Sequence, residues 1–415
     1  MTLTQLFTNI ANAIRNKKGT SSTIIAENFP TEISSIQTGI TPIGTINITQ
    51  NGTTDVTNYA SANVNVSSGG SIEEKDVNFY DYDGTLLHSY SKTEFLALTV
   101  LPENPIHTGL VAQGWNWDLA DAKNYVTDYD ELNIGQIYTT ASGLSEFDIE
   151  LTTATGLNVT LNMNGTKNWG DGTSDTNTSH TYTNYGNYTI TCDGTTLSTS
   201  YSSSLCGTGS GTRNYYMKNI RLTNVSVVTS NAFMNFYNLK NIILSNSITR
   251  VRGSVFYYSS INFIVMPNLN YDIDGQTFNG CQHLKKICLS KRPFSSTATN
   301  IFGSCTRLEK IIIPDNMVLL YTDIFSSCIL LEILKIPKSI TSIGGNCFQN
   351  CHSLLKYDFS KYSNVPTLSN TSAFKNINNL AKIIVPDSLY SSWITTTNWV
   401  DLVDYIIKES DYNAS

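Results

Sequence analysis

One stretch holds side chains suited to chemistry. Val77-Asn78-Phe79-Tyr80 is an apolar run that leads into Asp81-Tyr82-Asp83-Gly84-Thr85. Two carboxylates one residue apart at the end of a strand can serve as nucleophile and proton donor while sharing a metal ion that clamps a phosphate. The same Asp83-Gly84, set between two apolar runs, also suits a β-hairpin turn. Trp115 and Trp117 are a second candidate. Alternate Trp rings in a strand either stack on sugar faces or pack on a small core. The eight cysteines, at 192, 206, 281, 288, 305, 328, 347 and 351, are a third. They lack His partners at zinc-like spacing, and a free Cys behaves as a small buried hydrophobe, so free thiols are the expectation.

The Asp81–Thr85 phrase resembles the first motif of haloacid-dehalogenase-type phosphatases. That resemblance would make Asp81 the nucleophile and Asp83 the acid/base, both holding Mg²⁺. Such a fold needs a βα sheet of well over ~100 residues, and only about seventy, 72–140, precede the next β domain. Asp128 and Asp130, the downstream acidic pair, follow no apolar strand. The hairpin reading is therefore preferred, with a phosphatase as a remote alternative, and no catalytic, cofactor-binding or metal-ligating residue is assigned.

The elements around these residues are dominated by a repeat. Phe, a small residue three positions on, then Leu and two alternating apolar residues recur from Ala232 to Pro386. Phe302-Cys305-Leu308-Ile311-Ile313 and Phe325-Cys328-Leu331-Leu334-Ile336 are the clearest copies, and the lead Phe residues stand at 233, 256, 278, 302, 325, 348 and 374. Regular spacing on this scale predicts a solenoid whose rungs cannot stand alone. The alternating pair reads as a strand, and Ser247–Val251 and Ser339–Ile343 as a second short strand. The repeat resembles the BspA-like leucine-rich repeats of bacterial surface proteins and phage fibres, which implies binding rather than chemistry. Exposed Tyr257, Tyr258, Tyr271 and Tyr321 are candidate ligand- or host-binding residues, together with Trp115 and Trp117.

Upstream, Leu3, Leu6, Phe7, Ile10 and Ile14 form an amphipathic helical stripe too short to be stable alone. The phrases Ile10-Ala11-Asn12-Ala13-Ile14-Arg15 and Ile25-Ala26-Glu27-Asn28-Phe29-Pro30 resemble a module at the start of phage tail proteins. The stripe is therefore the candidate virion-docking surface. Residues 43–66 alternate around Asn51-Gly52, which predicts a hairpin, and Ser67–Ser71 reads as a linker. Trp169-Gly170-Asp171-Gly172-Thr173, then His180-Thr181-Tyr182 and Gly186-Asn187-Tyr188, resemble a PKD-type immunoglobulin-like domain, with Trp169 as the core anchor.

The expected fold class is mainly β and multidomain: a short N-terminal helix, small β modules, an Ig-like β-sandwich and a C-terminal leucine-rich-repeat solenoid with a helical cap. The expected divisions are 1–40 (helical docking module), 41–70 (small β repeat and linker) and 72–140 (small α+β or β module). They continue with 145–195 (PKD/Ig-like sandwich), 196–219 (polar linker), 220–386 (repeats) and 387–415 (cap). Charged residues make up 14% of the chain, against a typical ~25%. The net charge of −7 argues against broad nucleic-acid binding. No apolar run of about 20 residues predicts membrane insertion, and no signal peptide is expected, so release by lysis or within a particle follows. The expected function is that of a non-enzymatic phage virion protein, a tail fibre or minor tail protein. It would be anchored by its N-terminus, bind host glycan or protein through the solenoid, and act at the host surface. Tail or baseplate proteins are expected partners, and a homotrimer an expected assembly. A capsid decoration protein and a bacterial surface adhesin are the alternatives.

Overall fold

The computed structural model describes residues 45–48 and 61–64 (backbone only), 73–198, 204–207, 213–291, 294–295, 298–313, 315 and 317–413. The docking stripe Leu3, Leu6, Phe7, Ile10 and Ile14 lies outside the described residues, as do Asn51-Gly52 and the 67–71 linker. The chain divides into two units, 1–73 and 74–415. In the first, Thr45–Ile48 pairs with Ser61–Val64 in parallel register. A tight Asn-Gly turn joins antiparallel strands, so the hairpin expected for 43–66 is corrected to a parallel strand pair.

The second unit begins with a four-stranded mixed sheet, in the order Leu86–Tyr90, Val77–Tyr80, Leu132–Thr140, Leu110–Trp115. The helices Lys92–Ala97 and Leu119–Tyr129 accompany it. Ser91 and Glu94 form a reciprocal capping box on the first helix, and Asp118 caps the second. The segment is thus a small α+β module.

Ser145–Leu151, Gly186–Cys192 and Lys167–Asn168 then build an antiparallel sheet. Trp169 is fully buried and stacks on His180 with ring centroids 4.9 Å apart, and the Tyr182 hydroxyl donates to the Trp169 carbonyl at 2.7 Å. The Asp171 carboxylate accepts from the Thr173 amide and meets His180 Nε2 at 2.7 Å, which makes it the brace of the turn. This module is not closed on itself. Ser145–Leu151 also pairs antiparallel with Met217–Leu222, which pairs in parallel with Asn241–Leu244. The first solenoid strands therefore continue its sheet, and one hydrophobic core runs from Phe147 to Ile406. Within the stretch expected as a polar linker, Leu205 and Cys206 are buried in that core.

The solenoid strands begin at Met217, Asn241, Phe263, Lys286, Lys310, Ile333, Lys356 and Lys382, one per rung. A second column of two-residue strands includes Arg250–Val251, Leu319–Leu320, Ser342–Ile343 and Thr367–Leu368. The lead phenylalanines stack along the axis. Phe278 and Phe302 are 5.4 Å apart at an interplanar angle of 1°, and Phe302 and Phe325 are 5.7 Å apart at 3°. Residues two before and two after each of the first six lead Phe residues carry positive φ: Asn231 and Asn235, Ser254 and Tyr258, Gln276 and Gly280, Asn300 and Ser304, Asp323 and Ser327, Asn346 and Asn350; at Phe374 only Asn376 does. Left-handed backbone favours Asn, Asp and Gly, which accounts for much of the polar composition of the repeats. At Gly280 a Cβ would lie 2.4 Å from the Tyr258 ring, so a side chain there would have to displace that ring.

The Cys column is a thiol ladder. Cys281, Cys305, Cys328 and Cys351 each donate Sγ–H to the carbonyl of the preceding rung's Phe, at 2.9, 3.1, 3.1 and 3.2 Å. All eight cysteines are free and buried, and burial pushes the Cys281 and Cys351 thiols up to about 12. Thiolate is the reactive form. A disulfide-forming reagent such as DTNB is therefore expected to titrate none of the eight in the native protein and all eight in denaturant. Rapid native labelling of two or more would contradict the ladder.

Where a helical cap was expected, the C-terminus is mixed: short helical segments at Asp387–Leu389, Tyr390–Trp393, Val400–Tyr405 and Glu409–Asn413 surround Ile406–Lys408, a strand that extends the sheet beside Lys382–Val385. Trp393 and Trp399 are fully buried 4.4 Å apart and close the Phe stack through Phe374.

Candidate recognition surface

The Asp81 motif folds as a hairpin. Strands 77–80 and 86–90 are antiparallel, Asp81 N–H donates to the Thr85 carbonyl, and Gly84 takes φ +88°. Asp81 is buried. Its carboxylate accepts from the Tyr138 hydroxyl at 2.8 Å and the Tyr82 amide, and lies 2.6 Å from His107 Nε2. The Asp83 carboxylate accepts from the Thr85 amide. Each carboxylate thus holds local structure. Among the described residues no three His, Cys, Asp or Glu side chains group as a metal site.

Trp115 and Trp117 do not offer their faces to a sugar, which corrects their candidacy. Trp115 is buried edge-on against Phe79, and its indole N–H donates to the Pro102 carbonyl at 2.9 Å. Trp117 is buried with its N–H on the Leu289 carbonyl at 2.9 Å. Packing wins because the indole ring is large and its one donor finds a backbone acceptor. The tyrosines divide. Tyr258 and Tyr271 are exposed, Tyr257 packs edge-on against Tyr258, and Tyr321 lies partly buried against the core. The Arg250 guanidinium covers the Tyr271 ring at 5.0 Å. No ring contact joins Tyr271 or Tyr321 to the Tyr257–Tyr258 pair among the described residues, so the four do not form one platform.

Sequence reasoning missed the largest feature of the solenoid surface: the α+β module sits on the outer face of its strand column. Phe263, Val265 and Cys288 point away from the solenoid core and are buried with Tyr80 and Ile137 of the module. Ile312 joins Phe79, Trp115, Trp117 and Tyr125. Gly135 allows the closest approach, since a Cβ there would lie 2.4 Å from Val265 Cγ2. The Asn116 amide nitrogen donates to the carbonyls of Met266, Cys288 and Leu289, and its oxygen accepts from Gly135 N–H. The Tyr125 hydroxyl donates to the Ile313 carbonyl at 2.8 Å.

Charge frames this contact. The solenoid supplies Lys286, Lys291, Lys310, Lys335 and Lys338, and the module supplies Glu74, Asp118, Asp121, Asp128 and Glu131. Glu131 bridges Lys310 at 2.7 Å and Lys335 at 2.9 Å. Burial raises the Glu131 pKa, but the two ammonium groups outweigh it and hold the carboxyl below its usual value. Glu74 is likewise lowered, with Lys286 outweighing burial. A depressed folded-state pKa gives stability above the unfolded value, ~4.3 for Glu, that is lost as pH falls through the folded value. Docking of the module is therefore expected to weaken below about pH 4.5. Fluorescence of Trp115 and Trp117 reports it, and Glu131→Gln should flatten the transition. A wild-type signal unchanged down to pH 3 would contradict the bridge.

The module covers the middle rungs and leaves the later ones open. Leu330, Ile333, Leu355 and Leu380 are 44%, 39%, 49% and 71% exposed on three successive rungs. The apolar outward positions Phe263, Val265, Cys288 and Ile312, against Lys356 and Asp358 farther along, were the signal for the covered face.

Residues 212–331 and 292–392 match the model of the BspA type leucine rich repeat region, in 6 copies. A leucine-rich repeat protein from Eubacterium ventriosum is 19% identical and covers 44% of each chain, with a TM-score of 0.32. One from T. pallidum is 25% identical and covers 32% of this chain and 61% of its own, with a TM-score of 0.30. A leucine-rich repeat protein from Bacteroides ovatus is 21% identical, covers 39% and 47%, and has a TM-score of 0.29. The chain thus spans about half the length of these proteins. No curated protein matches it. From residue 212 to residue 392 this chain is a BspA-type leucine-rich repeat region.

Proposed function

We propose that the chain is a non-enzymatic recognition protein whose repeat region binds a bacterial cell surface. The observation that carries this reading is the run of exposed Leu330, Ile333, Leu355 and Leu380 on a rigid stack. Solvent-facing apolar side chains that recur on successive rungs favour a partner. The Phe and thiol columns hold these side chains in fixed register, which lowers the entropy lost on binding. The resemblance of the first residues to phage tail modules supports the finer reading of a virion protein that docks by its N-terminus and meets the host with its repeats. An adhesin on a bacterial surface is the second reading, supported by the BspA type of the repeats.

Gold-labelled antibody against the full chain, viewed by electron microscopy on particles and cells from a producing culture, separates the readings. Label at tail tips is expected. Label on heads would replace host binding by capsid decoration, and label on the envelope of uninfected cells would favour the adhesin. Full-length protein is further expected to adhere to susceptible cells, with Leu355→Glu and Leu380→Glu together reducing adhesion about tenfold or more. Unchanged adhesion of that variant would remove the apolar surface from the reading.

A further inference from the structure

We infer that the cleft where the 145–192 module joins the first solenoid rungs is a binding site for an anionic saccharide. This rests on the proposed recognition function and names its ligand class. The cleft, about 510 Å³, is lined by Asp148, Asn187, Lys218, Asn219, Lys240 and Asn241, among others. A volume of this size holds a few sugar rings, within the usual range of ~300–1,000 Å³ for ligand clefts.

Its floor is a polar ladder crossing four adjacent strands. Thr189 Oγ1 donates to Asp148 Oδ1 at 2.9 Å, Asn219 Nδ2 donates to Asp148 Oδ2 at 3.0 Å, and Asn241 Nδ2 donates to Asn219 Oδ1 at 3.1 Å. Arg221 pairs with Asp148 and Glu146, and Lys218 with Glu150 at 3.0 Å. Three carboxylates, Glu146, Asp148 and Glu150, thus share two cations, Arg221 and Lys218. Lys240 is exposed at the edge of the cleft, and among the described residues no carboxylate lies within ion-pair distance of it. The cleft therefore offers amide groups for hydroxyls and one uncommitted ammonium for an acid.

An aromatic pair lies outside that lining but close to it in sequence. Tyr215 and Tyr237 are 47% and 36% exposed and stack at 5.5 Å and 22°. They stand three residues before Lys218 and Lys240, and the rungs are tied there by Tyr237 N–H on the Asn214 carbonyl and Lys240 N–H on the Lys218 carbonyl. The Arg213 guanidinium lies 5.7 Å from the Tyr237 ring centroid and adds a second cation. A flat stacked pair beside amides and cations matches a sugar ring that has an apolar face, hydroxyl edges and an acidic substituent. Carboxylate and phosphodiester substituents share this chemistry.

The test is calorimetric titration of the full chain with three probes: a galacturonate tetrasaccharide, its methyl ester, and a glycerol-phosphate-linked oligosaccharide. Saturable binding of at least one anionic probe is expected, about tenfold or more tighter than the methyl ester and weakened by added salt. Which anion binds assigns carboxylate or phosphodiester. Lys240→Gln should remove the preference over the ester, and Tyr237→Ser should weaken all bound probes alike. Circular dichroism on both exposed-site variants controls for folding. Binding of neither anionic probe, equal binding of the ester, or an unchanged preference in Lys240→Gln would overturn the inference. Cell adhesion keeps the two ideas distinguishable. Wild-type adhesion that survives both variants refutes the cleft and leaves the recognition function standing. Saccharide binding without adhesion does the reverse.

Discussion

Phe302→Ala is expected to destabilise the solenoid by about 3–5 kcal/mol, the usual cost of emptying a buried aromatic site. Phe302 is fully buried and stacked face to face between Phe278 and Phe325, with Phe294 edge-on at 5.7 Å. Two neighbouring rings lose their partner at once. The cavity cannot collapse, because backbone hydrogen bonds between rungs fix the spacing: Phe302 N–H reaches the Ile324 carbonyl, and Phe278 N–H the Ile301 carbonyl. The Phe302 carbonyl also accepts the Cys328 thiol. In a stack stabilised by nearest-neighbour contacts, such damage divides the array rather than merely weakening it. Urea unfolding followed by circular dichroism should therefore change from one transition to two. Leu330→Ala, at a 44% exposed position of the next rung, should shift the midpoint by no more than about 0.5 kcal/mol. A Phe302→Ala loss under about 1 kcal/mol would mean that the stack is not the source of cooperativity.

The rungs were legible because most inward positions repeat, although Leu380, the Leu of the last rung, turns out 71% exposed. Phe, Cys, Leu and Ile recur at near-constant spacing, and Pro337 and Pro386 follow the strands they end. Trp169 was legible as an anchor because a large aromatic beside Gly170 and Gly172 has few other uses, and it is fully buried. What failed was long-range. Asn51-Gly52 predicted a hairpin from local turn chemistry, yet the flanking strands pair in parallel, a choice made by tertiary context. The 145–192 strands resembled a self-contained sandwich, and nothing local says that Ser145–Leu151 takes Met217–Leu222 as its second partner. Asp81 and Asp83 looked chemical because one short phrase fits both an active site and a turn. The distinction rests on Tyr138 and His107, 57 and 26 residues away. Trp115 and Trp117 misled for the same reason, since their N–H acceptors Pro102 and Leu289 are not apparent from a two-residue alternation.

The second large effect is expected at Glu131, where the covered face of the solenoid depends on charge inside a mostly dry contact. Lys310 is only 5% exposed, and Glu131 is its ion partner. Removing one partner of a buried pair strands the other charge, typically at about 3–5 kcal/mol. Glu131→Ala is therefore expected to cost more than any rim variant such as Asp128→Ala, whose bridge to Lys338 joins two half-exposed side chains worth roughly 0–1 kcal/mol. The sharper test is the double variant Glu131→Leu with Lys310→Met. If the penalty is desolvation of a lone ammonium, replacing both charges by apolar groups should restore most of the loss. If Glu131 instead acts by shape or through Lys335 alone, the double variant will be no better than the single one. Thermal melts read through Trp115 and Trp117 fluorescence separate these outcomes, because both indoles belong to the docked module. Recovery in the double variant would also explain why the sheet face under the module is apolar at Phe263, Val265 and Ile312. That face is built to be covered by its own chain, which leaves external recognition to the later rungs and the cleft at the first.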